Sequence, residues 1–193
     1  MKITIFFCVL LIVIISSCGS KSNKNEKPSV EELKEIITQK EDSLSQFQKD
    51  KKKIPTDRNY DLISSLNDFY LAYPNDKYAP VCLDKIQMSY SGLGVYQKAI
   101  EYSDILIKKY PKYINRPMIL ESQASNFDIF FEPRDTSKVR FYYSLLLKEN
   151  SKLDKDKKEG IKMRLKHLDL NFNEYIDYIM NTAQSQPESK PQP

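Results

Sequence analysis

Apolar residues recur along most of this chain at intervals of three and four, the spacing of one face of an α-helix, and prolines or charged runs interrupt them. Val30, Leu33, Ile36, Ile37, Leu44 and Phe47 form the first stripe. It opens on Ser29-x-x-Glu32, a capping box in which each side chain satisfies the other residue's free backbone N–H. It ends where Lys49 to Lys53 run into Ile54-Pro55. From Asp57 a second helix carries Tyr60, Ile63, Leu66, Phe69 and Tyr70 down to Pro74. Leu83, Ile86 and Tyr90 mark a third, and Ala99, Leu106 and Tyr110 a fourth that closes on Pro111. Pro117 to Phe131 predicts a fifth helix, and Glu132-Pro133-Arg134-Asp135 a loop. Ser137 to Glu149, with Val139, Tyr142, Tyr143 and Leu146, predicts a sixth. Lys152 to Gly160 reads as a charged break. Ile161, Leu165 and Leu168 then share a face, and Asn171-x-x-Glu174 opens a last short helix with Tyr175, Ile176 and Ile179. The expectation is an all-α fold.

Two of only four glycines, Gly92 and Gly94, fall between the third and fourth helices, where a tight turn favours positive φ. Ala99 is small enough to let the fourth helix approach the ring of Tyr90 closely. Tyr-Pro ends the hairpin, because proline biases the preceding residue away from helix and lacks a backbone donor. The unit repeats. Tyr73-Pro74 matches Tyr110-Pro111 at a distance of 37 residues, and each proline precedes an apolar anchor, Leu83 or Leu120, by nine. Tyr90 and Phe127 follow those anchors by seven.

This spacing resembles the tetratricopeptide repeat, a helix–turn–helix unit of 34 residues. On its pattern Leu83 takes the aromatic position, Ile86 the leucine, Tyr90 the tyrosine, Ala99 the alanine and Pro111 the proline. Gln87 stands where the family has glycine and Ser103 where it has phenylalanine. The resemblance implies a helical-hairpin solenoid of about three repeats over residues 29–182, closed by a C-terminal capping helix pair. The first two helices form a poorly matched first repeat with a long internal loop. A longer-turned repeat of this kind occurs in envelope-associated bacterial members of the family, including a lipoprotein of outer-membrane β-barrel assembly.

The N-terminus has its own logic. Met1-Lys2 is a positive start, and Ile5 to Ile15 is an unbroken apolar run of 11 residues. That is shorter than the roughly 17–25 needed to span a bilayer, and it reads as the core of a signal peptide over residues 1–17. Ile15-Ser16-Ser17-Cys18 resembles the lipobox of bacterial lipoproteins, which implies diacylglyceryl and palmitoyl modification at Cys18. Cys8 would leave with the signal and Cys82 would remain alone, so no intrachain disulfide is expected. Residues 18–28, rich in Ser, Lys and Asn, read as a flexible tether, and residues 183–193, rich in Gln, Ser and Pro, as a disordered tail. Gly19-Ser20-Lys21 carries neither the aspartate of inner-membrane retention nor an acidic surface-export cluster. The resemblance therefore implies lipid anchoring on the periplasmic face of the outer membrane in a Gram-negative envelope.

A formal net charge of +4 over 193 residues is too balanced to imply nucleic acid. The lone histidine, His167, has no ligand spacing, and no Cys-x-x-Cys, Gly-x-Ser-x-Gly or Gly-rich phosphate loop occurs. The reading is therefore not an enzyme, with no cofactor, no metal and no small-molecule substrate. Groove positions carried over from the family are Val81, Asp84, Met88, Ser91, Met118, Glu121, Ser125 and Asp128. They lack the Lys and Asn of carboxylate-clamping members, and their acids imply a basic or apolar envelope protein or peptide as partner. Two functions fit: a periplasmic scaffold for protein–protein interactions in outer-membrane or envelope assembly, or a lipid-anchored structural or substrate-binding protein without an assembly role.

Overall fold

The computed structural model describes residues 27–150 and 153–184. The signal peptide, Cys18, most of the tether and residues 185–193 lie outside the described residues. Among the described residues the chain is all-helical: α1 (Val30–Lys49), α2 (Thr56–Ala72), α3 (Ala79–Gly92), α4 (Tyr96–Lys109), α5 (Arg116–Ser125) continued by a π-helical turn (Asn126–Phe130), α6 (Thr136–Glu149), α7 (Lys155–Lys166) and α8 (Phe172–Gln184). None of these helices is long and apolar enough to cross a membrane.

Local chemistry explains most boundaries. Ser29 Oγ accepts from Glu32 N at 3.2 Å and Glu32 Oε2 accepts from Ser29 N at 2.7 Å, closing the capping box of α1. Lys51, at φ 53°, takes the chain out of that helix. Pro80 and Pro117 occupy the first turns of α3 and α5, where no intrahelical N–H is required. Gly94 supplies the φ of +74° between α3 and α4. Asn171 and Glu174 form a second capping box ahead of α8, with bonds of 2.7 and 3.0 Å.

Two boundaries depart from the sequence reading. Lys152 to Gly160 is not a break throughout: α7 begins at Lys155 and runs through Gly160. Asp154 caps it by accepting from Asp156 N and Lys157 N at 2.9 and 3.2 Å, and the buried Ile161 and Arg164 hold it down. Those terms outweigh the roughly 1 kcal/mol that a helical glycine costs. The fifth helix also changes pitch at Asn126. Asn126, Phe127 and Asp128, all buried, lie on a π turn that runs from Asn126 to Phe130.

Each helix packs on the next, and polar links join alternate helices. Glu41 of α1 pairs with Lys85 of α3 at 2.5 Å, and Glu121 of α5 with Lys157 of α7 at 2.6 Å. In the other row Tyr102 of α4 donates to Asn67 of α2 at 3.2 Å, and Tyr142 of α6 donates to Asp104 of α4 at 2.7 Å. The connections between rows repeat in the backbone. Tyr73 N–Phe69 O, Asp76 N–Tyr73 O, Ala79 N–Asp76 O and Cys82 N–Tyr78 O recur 37 residues on as Tyr110 N–Leu106 O, Tyr113 N–Tyr110 O, Arg116 N–Tyr113 O and Ile119 N–Asn115 O. The capping residues also share a conformation, φ −135°, ψ 60° at Tyr73 and φ −124°, ψ 62° at Tyr110.

The buried core falls into three clusters. Leu33, Ile37, Leu66, Phe69, Cys82 and Ile86 fill the α1–α3 end, and Tyr70, Ala79, Leu83, Leu106 and Ile119 the middle. Leu120, Ala124, Phe127, Val139, Tyr142, Leu146, Ile161 and Leu168 fill the α5–α7 end. Ala99 is fully buried. Gln87 and Ser103, the residues that replace a glycine and a phenylalanine of the family pattern, are both buried and meet across α3 and α4. Ser103 Oγ donates to Gln87 Oε1 in a long 3.5 Å contact. A larger side chain on one helix is thus matched by a smaller one on its neighbour.

Candidate interaction surface

Three carboxylates tie the helices together: Asp84 and Asp128, which are buried groove positions from the sequence, and Asp104, which is exposed. Asp84, 6% exposed, lies between Leu83 and Lys85 on α3. Its Oδ1 accepts from Gln87 Nε2 at 3.0 Å, and its Oδ2 accepts from the Tyr113 hydroxyl and Asn115 Nδ2, both at 2.9 Å. This ties α3 to the turn ahead of α5. Asp104 Oδ1 receives the Tyr142 hydroxyl at 2.7 Å and Gln123 Nε2 at 2.8 Å, tying α4 to α5 and α6.

The third is Asp128, 5% exposed on the π turn. Its Oδ1 accepts from Arg134 Nε at 2.8 Å and Arg164 Nη2 at 2.7 Å, and its Oδ2 from Arg164 Nε at 2.6 Å. The same guanidiniums donate to carbonyls at the end of α7: Arg164 to His167 and Leu170, Arg134 to Leu168. Those carbonyls lie just beyond Lys166, so the cluster pins the α7–α8 connection as well as pairing charge. Tyr175 of α8 lies over the Arg164 guanidinium, 4.6 Å from its centre.

The expected row of free acids is therefore different in the structure. Asp84 and Asp128 are buried and bonded, and neither offers a carboxylate to solvent. The reason is register: each sits beside a core residue, Leu83 or Phe127, on the inward edge of its helix. Glu121 is half-buried and engaged by Lys157. Met88 and Met118 stand out to solvent at 62% and 64% exposure. Val81, Ser91 and Ser125 are half-buried. Met88 lines a cleft between α1 and α3 together with Glu41, Leu44, Gln48 and Lys85. Of the expected groove positions, the two methionines are thus the most exposed, and Glu121 is the one acid still partly open to solvent.

Arg164 was not among the sequence candidates, yet it was visible there. It falls on the stripe of Ile161, Leu165 and Leu168, and a charge on an apolar stripe calls for a buried partner.

Burial raises the pKa of several buried or partly buried groups. Desolvation and then the bond to Asp84 push the Tyr113 phenol up, and desolvation and then Asp104 do the same for Tyr142. Burial pushes the Cys82 thiol up to about 12. Each holds its proton more tightly folded than unfolded. The stabilisation is fully present below the unfolded values, 9.0 for the thiol and 10.0 for the phenols, and is lost as pH rises through the folded ones. The urea midpoint is expected to fall progressively above pH of about 9, and less steeply in Tyr113→Phe. A midpoint that stays level into the alkaline range contradicts this assignment.

A scan against protein-family models, a search of curated proteins and a search of solved structures each find no match.

Proposed function

We propose that this chain is a lipid-anchored helical-repeat protein of the tetratricopeptide type, and that its first-helix row holds an apolar segment of another envelope protein on the periplasmic side of the outer membrane. The observation that carries the repeat reading is the recurrence, 37 residues apart, of four backbone hydrogen bonds and a capping conformation around Tyr73-Pro74 and Tyr110-Pro111. Repeats that share a turn present equivalent first-helix positions on one side. The matched exchange of bulk at Gln87 and Ser103 keeps the hairpin closed although two family positions differ. The anchor rests on the lipobox residues ending at Cys18.

With Asp84 and Asp128 engaged internally, the apolar half of the expected partner chemistry gains weight over the basic half. Met88 and Met118 are unbranched and polarizable, suited to an irregular apolar ligand. Met88→Asp combined with Met118→Asp is expected to lower capture of envelope partners roughly tenfold or more while the helical circular dichroism stays unchanged. Equal capture by the double variant would remove the groove from consideration. Cys18→Ala is expected to abolish incorporation of labelled palmitate. Recovery of β-barrel assembly proteins from solubilised envelope supports the assembly scaffold, and their absence leaves a lipid-anchored structural or substrate-binding role.

A further inference from the structure

Three connections lie side by side along one edge of the molecule. The Tyr73 hydroxyl donates to the Pro28 carbonyl at 2.6 Å, and the Tyr110 hydroxyl to the Pro74 carbonyl at 2.5 Å. Lys27 donates to the Ala72 carbonyl, and its ammonium lies 3.8 Å from the centre of the Tyr73 ring. The start of α1, the α2–α3 turn and the α4–α5 turn are therefore held in a row by one tyrosine–proline bond used twice. The α3–α4 turn lies at the opposite end of its hairpin.

This edge has an unusual surface. Lys77, Lys109 and Lys112 surround a cleft of about 450 Å³ lined by Pro80, Tyr110 and Tyr113, with Ile114 on its lip. Ile114 is 84% exposed, more than any other large apolar side chain among the described residues. Asp76 is the one acid within residues 73–78 and 110–115. Its carboxylate is occupied by the Tyr78 N–H at 2.7 Å, with Lys34 at 4.0 Å. Lys109 donates to the Tyr70 hydroxyl at 2.7 Å. At its two Tyr-Pro turns the edge is thus cationic, aromatic and tipped by a bare isoleucine, the combination favoured at a membrane–water interface. Glu31 and Glu32 stand exposed at the start of α1.

We propose that this turn edge is the face on which the domain lies against an anionic lipid bilayer, with Ile114 entering the interfacial layer and Lys77, Lys109 and Lys112 meeting headgroup phosphates. The inference rests on the lipid anchor proposed above. The path of the chain selects the bilayer as occupant. Lys27 stands on this edge, Cys18 is nine residues before it, and nine residues reach at most about 30 Å when fully extended. An acyl group at Cys18 keeps this edge within that reach of the membrane, and the surface chemistry of the edge selects it over the opposite end. An acyl anchor and a basic patch reinforce one another, each lysine near an anionic surface adding about fivefold to binding.

The test uses the full-length acylated protein in vesicles of phosphatidylethanolamine and phosphatidylglycerol, with an environment-sensitive probe on Ile114→Cys. Cys82 is buried, so labelling is directed to the introduced thiol. Bilayer-borne nitroxides are expected to quench the probe at 114 and to leave the same probe on Gln97→Cys, at the opposite end, unquenched. The combined Lys77→Glu, Lys109→Glu and Lys112→Glu variant should lose most of that quenching, as should 1 M salt, where the screening length falls to about 3 Å. Equal quenching at 114 and 97 in protein that floats with the vesicles overturns the docking face and leaves the anchor standing. Quenching unchanged in the triple variant overturns the lysine contacts. Failure of the acylated protein to float overturns the anchor itself, and the docking face with it.

Discussion

Asp128→Ala is expected to destabilise the fold by about 3–5 kcal/mol, the cost of leaving buried charge without its partner. Two guanidiniums converge on this carboxylate, and Arg164 is almost wholly enclosed, with 5% of its side chain exposed. Removing the carboxylate leaves both cations facing the core while their carbonyl contacts to His167, Leu168 and Leu170 persist. Arg164→Met should cost less, because Asp128 then keeps Arg134 at 2.8 Å and the methionine fills much of the volume. Urea denaturation followed by circular dichroism reads both, with a lowered midpoint at constant slope. A change below about 1 kcal/mol for Asp128→Ala would mean that the cluster is open to water. The loss should fall on the C-terminal end, since the cluster joins the π turn to the α7–α8 connection.

Leu106→Ala is the second large effect, about 2–5 kcal/mol. Leu106 is fully buried in the middle cluster with Tyr70, Ala79, Leu83 and Ile119, drawn from α2, α3 and α5. A truncation there leaves a cavity shared by four helices, and such a site relaxes poorly because each wall belongs to a separately anchored element. Leu71→Ala, on α2 but 66% exposed, serves as the comparison and should stay within about 0.5 kcal/mol. A Leu106→Ala midpoint as close to wild type as that of Leu71→Ala would refute the assigned packing.

Much of the architecture was legible because its causes are local. The capping boxes at Ser29 and Asn171, the prolines opening α3 and α5, and the positive φ at Gly94 each act within a few residues. The 37-residue recurrence was equally readable, since a repeated turn needs a repeated Tyr-Pro. The burial of the expected groove positions was less legible: Met88 and Met118 are exposed, whereas Asp84 and Asp128 turn inward. A helical stripe has edges, and a short acidic side chain at an edge can point either way. Its direction depends on whether a donor waits inside.

The residues alone therefore determined that this chain would form a succession of amphipathic helices, where most of them begin, and which turn recurs. Periodicity and capping are properties of neighbours along the chain. Only the tertiary structure decided what the acids do, because the donors to Asp84 and Asp128 lie up to 31 and 36 residues away in sequence. It likewise decided that Asn126 to Phe130 would take the π pitch, which no local capping or breaking residue in the sequence marks. Burial makes an unpaired carboxylate costly, and it was the packing of α7 against the π turn that supplied the pairing.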